Sequence, residues 1–274
     1  MPSKQEHHIQ ITADKSLALD YLVDASGLSR QQLKSAMQKG CVWLEKDNYT
    51  QRLRRAKKTL SAGDTLHFYY DPAILQAEPL EATLITDQGD YSIWDKPSGM
   101  LSQGSKWGDH CTIYRWAEKH LKPERAAFIV HRLDRAASGL MILAHKKKVA
   151  AQFSSMFQHR KIEKRYHAFV EGDFSKLIKD KESSKTISTD IDNKNAISHV
   201  RLIKYDKDRN ESQLEVQIET GRKHQIRKHL SELGFAVIGD RLYGSDKSKK
   251  NLQLKAVLLT FSDPISGEIQ NFRI

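Results

Sequence analysis

Apolar positions along this chain recur at helical spacing in some stretches and in short strand-like runs in others, which divides it into two units. In the first, Leu17, Leu19, Leu22 and Val23 predict a short helix. A second helix starts at Ser29, whose hydroxyl can cap free amides while Gln32 completes the capping box. Leu33, Ala36 and Met37 give it an apolar face and Gly40 ends it. Residues 41–44 read as a strand and Asp47-Asn48 as a turn. From Asp71-Pro72 to Glu81 the chain loses its period and reads as a linker. The second unit alternates strand-like runs (residues 91–94, 140–144, 166–170, 213–218 and 256–261) with helical stretches (112–120, 147–158 and 223–233). That uneven succession predicts an α+β fold with a mixed, mostly antiparallel central sheet and flanking helices. Residues 173–195, rich in Lys, Ser and Asp, predict a mobile surface excursion. The expected organisation is 1–72, a linker over 73–83, and 84–274.

Composition adds a partner. The net charge of +11 points to a polyanionic partner, and nucleic acid is the expected one. Nine basic residues against two acidic ones fall between Arg30 and Lys58, where Arg30, Lys34, Arg54 and Arg55 are the candidate phosphate contacts. Cys41 and Cys111 are the only cysteines, with no CxxC and no His/Cys cluster, so neither a zinc site nor a disulfide framework is expected. The first eight residues lack the apolar core of a secretory signal, and no run is long enough for a membrane span. The expectation is a cytoplasmic monomer without membrane, metal or cofactor.

The densest chemistry lies at residues 131–140, where Asp134 stands between Arg132 and Arg135, flanked by apolar runs. A carboxylate so placed suits presentation at a sheet rim to a polyanion. Three other segments join it. Residues 161–172 form a strand with Tyr166, Ala168 and Val170 on one face; alone, Tyr166 reads as a core aromatic. Residues 220–230 read as a helix start with Ile226 and Leu230 on one stripe and Lys223, His224 and Arg227 on another. Like charges there are tolerable if an anion, phosphate or Asp134, sits opposite, and Gly221-Arg222 at the start favours an anion site. Trp94-Asp95-Lys96-Pro97-Ser98-Gly99-Met100 alone is only a strand running into a turn.

In this order, with Ile238-Gly239-Asp240-Arg241-Leu242-Tyr243-Gly244, these segments resemble the RluA-type family of RNA pseudouridine synthases over roughly residues 84–274. Ala137 stands where the family commonly has Thr, and Leu101-Ser102-Gln103 where a His-Pro-like pair is usual. The first unit resembles the S4 RNA-binding domain through Ser29-Arg30-Gln31-Gln32-Leu33-Lys34, Gly40-Cys41-Val42-Trp43-Leu44 and residues 60–66, with an altered turn after Leu44. The resemblance implies that Asp134 attacks the sugar or takes a proton from C2′, the two being open. It implies that Arg227 keeps Asp134 ionised, that Tyr166 stacks on the uracil and assists at C5, and that Arg132 fills the gap left by a flipped uridine. His131 and Arg135 would position the loop or touch phosphate, and Lys96, Arg222, Lys223 and His224 would contact RNA. The RNA expected by analogy is large-subunit ribosomal RNA, ahead of tRNA. The competing class is a non-catalytic RNA-binding or ribosome-assembly factor of the same fold, which has no reason to retain Asp134, Tyr166 and Arg227 together. A nuclease is disfavoured for want of acidic pairs at metal-binding spacing and of a P-loop.

Overall fold

The computed structural model describes residues 3–178, 184–244 and 250–274. The chain divides into two compact units, one running to Leu80 and including Gln103–His120, the other made of Glu81–Ser102 and Leu121–Ile274.

The first unit holds strands β1 (Gln5–Gln10) and β2 (Ser16–Leu17), helices α1 (Ala18–Ser26) and α2 (Arg30–Gln38), and strands β3 (Val42–Lys46), β4 (Tyr49–Arg52), β5 (Thr59–Leu60) and β6 (Thr65–Tyr70). Two more helices follow, α3 (Pro72–Leu75) and α4 (Ile113–His120). Its sheet runs β1-β6-β3-β4, antiparallel throughout, with β2 and β5 paired separately. The capping box forms as the spacing predicts: Ser29 Oγ accepts from the Gln32 amide and the Gln32 side chain accepts from the Ser29 amide. Asp47 and Asn48 take the left-handed backbone that a two-residue hairpin needs. Leu33, Met37, Val42, Leu66 and Phe68 lie in its core.

A linear reading assigns residues 103–120 to the second unit, and the structure clusters them with the first. One tie is Asp109, whose fully buried carboxylate accepts from Arg54 and the Tyr114 hydroxyl and pairs with Arg52. Charges that distant in sequence give no local sign of meeting. The predicted linker also begins with structure: Asp71 caps the short α3 through the Ala73 and Ile74 amides.

The second unit contains β7 (Thr83–Asp87), β8 (Tyr91–Lys96), β9 (Phe128–Ile129), β10 (Ser138–Ala144), α5 (Lys147–Gln158), β11 (Glu163–Glu171), β12 (Ser184–Ile191), β13 (Lys194–Asp206), β14 (Glu211–Ile218), α6 (Gln225–Glu232), β15 (Leu254–Ser262) and β16 (Ile269–Arg273). The sheet order is β12-β13-β14-β11-β15-β10-β8-β7, with β9 on β10 and β16 on β15. Among the described residues β10 and β15 form the one parallel pair, so the fold is α+β and mostly antiparallel. Helix α5 packs Val149 and Phe153 into a core with Tyr91, Leu140, Ile142 and Phe261.

Gly139 makes the parallel pair possible. Its φ is 112°, and a Cβ there would lie 2.2 Å from the Ala256 carbonyl oxygen. The backbone just after the Asp134 loop is thereby drawn against β15.

The expected excursion over 173–195 is corrected. Residues 184–191 form β12, in register with β13 along its whole length through a turn at Asp192-Asn193. Its composition misleads because an edge strand here needs only Ile187 and Ile191 on its buried side. Residues 179–183 of that expectation lie outside the described residues. Among the described residues no helix is long and apolar enough to cross a membrane.

Candidate active site

Asp134 sits in the loop between β9 and β10, and a polar scaffold beneath it sets the loop's shape. Lys96, at the end of β8, is completely buried, and its ammonium donates to the carbonyls of Ala137 (2.6 Å), Met100 (2.9 Å), Pro97 (3.0 Å) and Arg135 (3.4 Å). Ser102 Oγ donates to the Leu133 carbonyl at 2.6 Å and accepts from the Leu133 amide at 3.1 Å. Ser98 Oγ donates to the Ala136 carbonyl at 2.7 Å. Burial pulls the Lys96 pKa down to about 8, against Asp134 and Asp95, so the group is cationic at neutral pH. The sequence expectation of an RNA contact at Lys96 is therefore corrected: an enclosed ammonium spends its donors on the loop and offers none to solvent. Replacing Lys96 with Met should leave those carbonyls short of a donor, at a cost of about 1–3 kcal/mol. Thermal unfolding with turnover measurement reads it; a variant as stable and active as the parent would refute the scaffold role.

His131 is a second support. Its Nε2 accepts from the Ile142 amide at 2.9 Å and its ring stacks on Phe157 at 4.5 Å between centroids. Burial, with nearby Lys164, lowers its pKa to about 3, which keeps the ring neutral and able to accept. Of its two expected roles, holding the loop is the one this geometry supports. Arg135 is exposed, with Nε donating to the Gly99 carbonyl at 3.1 Å.

Across the cleft, α6 brings up Arg227, whose side chain is 6 % exposed. Its Nη1 donates to Asp134 Oδ2 at 3.1 Å, while Nε and Nη2 donate in a fork to Asp240 Oδ2 and Oδ1, each at 2.7 Å. Asp240 also accepts from the Leu242 and Tyr243 amides at 2.9 and 3.1 Å. Burial alone would raise the Asp240 pKa, but the Arg227 fork and those amides hold it below the usual carboxylate range. Burial likewise works against the Arg227 cation, and the two carboxylates more than offset it. Arg227 is thus locked by Asp240 on one side and presents its remaining donor to Asp134 on the other. In the sequence Asp240 is only one residue of the 238–244 motif, an acid directly after Gly239.

Helix α6 starts at Gln225, two residues later than the periodicity predicts, because His224 takes a left-handed backbone with φ 55°. Lys223 therefore precedes the helix, exposed, and does not share a helical face with Arg227. His224 Nε2 lies 3.8 Å from Asp134 Oδ1 and its Nδ1 is 2.9 Å from the Tyr243 hydroxyl. Burial outweighs the pull of Asp134 and lowers the His224 pKa, leaving a neutral ring at physiological pH. Arg222 Nε donates to the Asn195 carbonyl at 3.0 Å.

Tyr166 enters from β11, where a register shift against β15 falls between Arg165 and Tyr166. Asp134, Tyr166, Arg227, Arg132, Arg222 and His224 line a single cleft of about 90 Å³, with Ile218 and Leu254 as apolar wall. Burial, then the Asp134 charge, raise the Tyr166 pKa, so the phenol stays protonated at neutral pH. The Asp134 side chain is 27 % exposed, within reach of a bound molecule. The arrangement offers a fixed carboxylate, a protonated phenol and an apolar wall fit for a flat ring. Among the described residues no group of three or more metal-ligating side chains is present.

In the first unit the candidate basic residues separate. Arg54 is bound to Asp109 and the Gln38 carbonyl, which corrects its reading as a free phosphate contact. Lys34 and Arg55 are exposed, and Arg30 pairs with Asp20 at 2.6 Å on the surface.

Comparison with known proteins bears on the fold and the family. The human RNA pseudouridylate synthase domain containing 1 shares the fold with a TM-score of 0.58, at 21% identity, covering 72% of this chain and 86% of that one. An uncharacterized RNA pseudouridine synthase of Chloroflexus aurantiacus is 31% identical over 89% of this chain and 81% of its own. Ribosomal large subunit pseudouridine synthase D of Zymomonas mobilis is 26% identical over 89% and 85%, and tRNA pseudouridine synthase C of Vibrio parahaemolyticus 29% over 69% and 88%. The RNA pseudouridylate synthase family pattern matches residues 90–232, which take in the Asp134 loop, Tyr166 and Arg227. With Asp134, Tyr166 and Arg227 inside that match, the chain belongs to the RNA pseudouridylate synthases, isomerases that act on RNA.

Proposed function

We propose that the chain isomerises uridines within structured RNA and that Asp134 is the carboxylate that starts the reaction. The observation that carries this is the line Asp240–Arg227–Asp134, which holds one reachable carboxylate beside the Tyr166 ring. The target must leave its stack, at a cost of a few kcal/mol. Arg132, exposed at the mouth of the cleft, takes the vacated place, where a planar guanidinium can stack and hydrogen-bond together. The C1′–N1 bond then breaks, with Asp134 either attacking the sugar or removing the C2′ proton. The electron pair of that bond leaves on the uracil, which turns against Tyr166; C5 then bonds to C1′ as Asp134 leaves C1′ or C2′ regains its proton, and the C5 proton is exchanged for one on N1, so the product is an isomer of the uridine. Arg227 orients Asp134 through the hydrogen bond from Nη1 to Oδ2 at 3.1 Å.

The RNA we infer is that of the large ribosomal subunit. Among the relatives compared, one named for that substrate aligns over 89% of this chain, whereas those named for tRNA reach 69%. In this reading the first unit is an S4-like RNA-binding module that works through the surface of α2 and the turn that carries Arg55. Replacing Arg30, Lys34 and Arg55 together with Ala should weaken RNA binding and lower the slope of log affinity against log salt by about 0.7–0.9 for each phosphate left without its cation. An unchanged slope in filter binding across a salt series would remove the module from the interface. Substrate and activity are tested together by mapping pseudouridines, through chemical derivatisation and reverse transcription, in cells with and without this protein. Marks that persist in large-subunit RNA without it would overturn the substrate assignment.

A further inference from the structure

We propose that the outer face of the β1-β6-β3-β4 sheet is a stacking platform for single-stranded RNA, built from residues other than those of the Asp134 cleft. The proposal rests on RNA as the partner and assigns it a second, aromatic contact. Strand alternation sends Val42, Leu44, Leu66 and Phe68 into the core of the unit. The opposite face would ordinarily be polar. Here a row of side chains crosses the four strands in register: His8 opposite His67, His67 opposite Trp43, and Trp43 opposite Arg52, whose guanidinium is held by Asp109 and the Ser105 carbonyl and serves only to pack the ring. Arg52 lies 4.1 Å over the Trp43 ring.

Beside this row, Tyr69 meets Trp107 edge to face at 5.7 Å. Two exposed lysines lie on those rings: Lys4 at 4.1 Å from the Trp107 centroid, and Lys106 at 4.5 Å from Tyr69 and 5.1 Å from Trp107. An exposed ammonium on a ring is worth about two- to fivefold in an equilibrium, whereas a base stacked on one is worth about five- to a hundredfold. A nucleobase therefore displaces the ammonium, and the flexible lysine stem lets the cation follow the phosphate. The carboxylates on this face also have ring partners that do not depend on Lys106, Glu6 lying 3.4 Å from His8 Nε2 and Glu45 2.9 Å from His67 Nε2. Rings interleaved with cations on a sheet are the arrangement by which single strands are held without a strict sequence.

The test uses the full chain and a short single-stranded RNA without uridine, which cannot be a substrate, so its outcome is independent of the catalytic reading. Tyr69→Ala and Trp107→Ala should each weaken binding about five- to a hundredfold by fluorescence anisotropy, with Tyr69→Phe close to the parent. Tryptophan emission of the unaltered protein should fall on titration with the same RNA, and the fall should shrink in Trp107→Phe, which keeps a ring; this arm holds even if the Ala variants fail to fold. Duplex RNA, whose bases are hidden, should bind all variants alike. The platform is refuted if folded Tyr69→Ala and Trp107→Ala bind the single strand like the parent, if emission does not change at saturation, or if duplex binding drops by the same factor.

Discussion

Asp134→Asn leaves RNA binding within about twofold of the parent while single-turnover pseudouridine formation falls by about three orders of magnitude or more. An essential acid, base or nucleophile is worth at least the ~10²–10⁴ attributed to positioned proton transfer, and amide nitrogen supplies neither role. The fold should tolerate the change. The Asn carbonyl can still accept from Arg227 Nη1, and Arg227 keeps its fork to Asp240, so no buried charge is stranded. Asp134 is also partly exposed, and its loop is held from below by Lys96 and Ser102 through backbone carbonyls that the substitution leaves alone. Rapid-quench conversion of a uridine-labelled RNA, beside filter binding of the same RNA, measures both quantities. Turnover equal to the parent would end the assignment of Asp134 as the reacting group.

The second large effect belongs to Asp240, and it separates stability from chemistry. Asp240→Ala strips the buried Arg227 of its fork and should cost about 3–5 kcal/mol, the usual penalty for leaving one member of a buried pair uncompensated. Activity should fall as well, because Arg227 would be free to turn toward Asp134 or to leave it. The effect depends on pH in a stated sense. The Asp240 pKa lies below its ordinary value of about 3.9 in the folded chain, so its contribution is complete above that pH and is lost as pH falls through the folded value. The stability gap between parent and variant should therefore be widest near neutrality and close under acid conditions. Denaturant unfolding at a series of pH values follows it. A gap that widened on acidification would mean that Asp240 is not held as a carboxylate by Arg227.

These two carboxylates flank one guanidinium and do different work. Asp240 is buried and bound on both oxygens, so it can only orient; Asp134 keeps one side toward the cleft, with His224 Nε2 3.8 Å from its second oxygen. The neutral Tyr166 phenol and neutral His224 leave Arg227 as the cation bonded to Asp134.

Much of the fold was legible before any coordinates, wherever the information was local. Helix α5 spans the residues that apolar spacing predicts, and the Ser29–Gln32 box forms because its partners are three residues apart. The motif order also brought Asp134, Tyr166 and Arg227 forward as a set, and they do line one cleft. Long-range placement was not legible. Lys96 looks in sequence like any lysine at a strand end, and only the packing of residues 97–100 against 135–137 encloses it among carbonyls. Arg227 reads as one cation on a basic helix, yet it is buried between acids 93 residues before it and 13 after it. Periodicity within a few residues decides which elements form and which side of each is apolar. Which buried charge meets which depends on desolvation and on chain segments far apart, and those terms exist only once the sheet has closed around them.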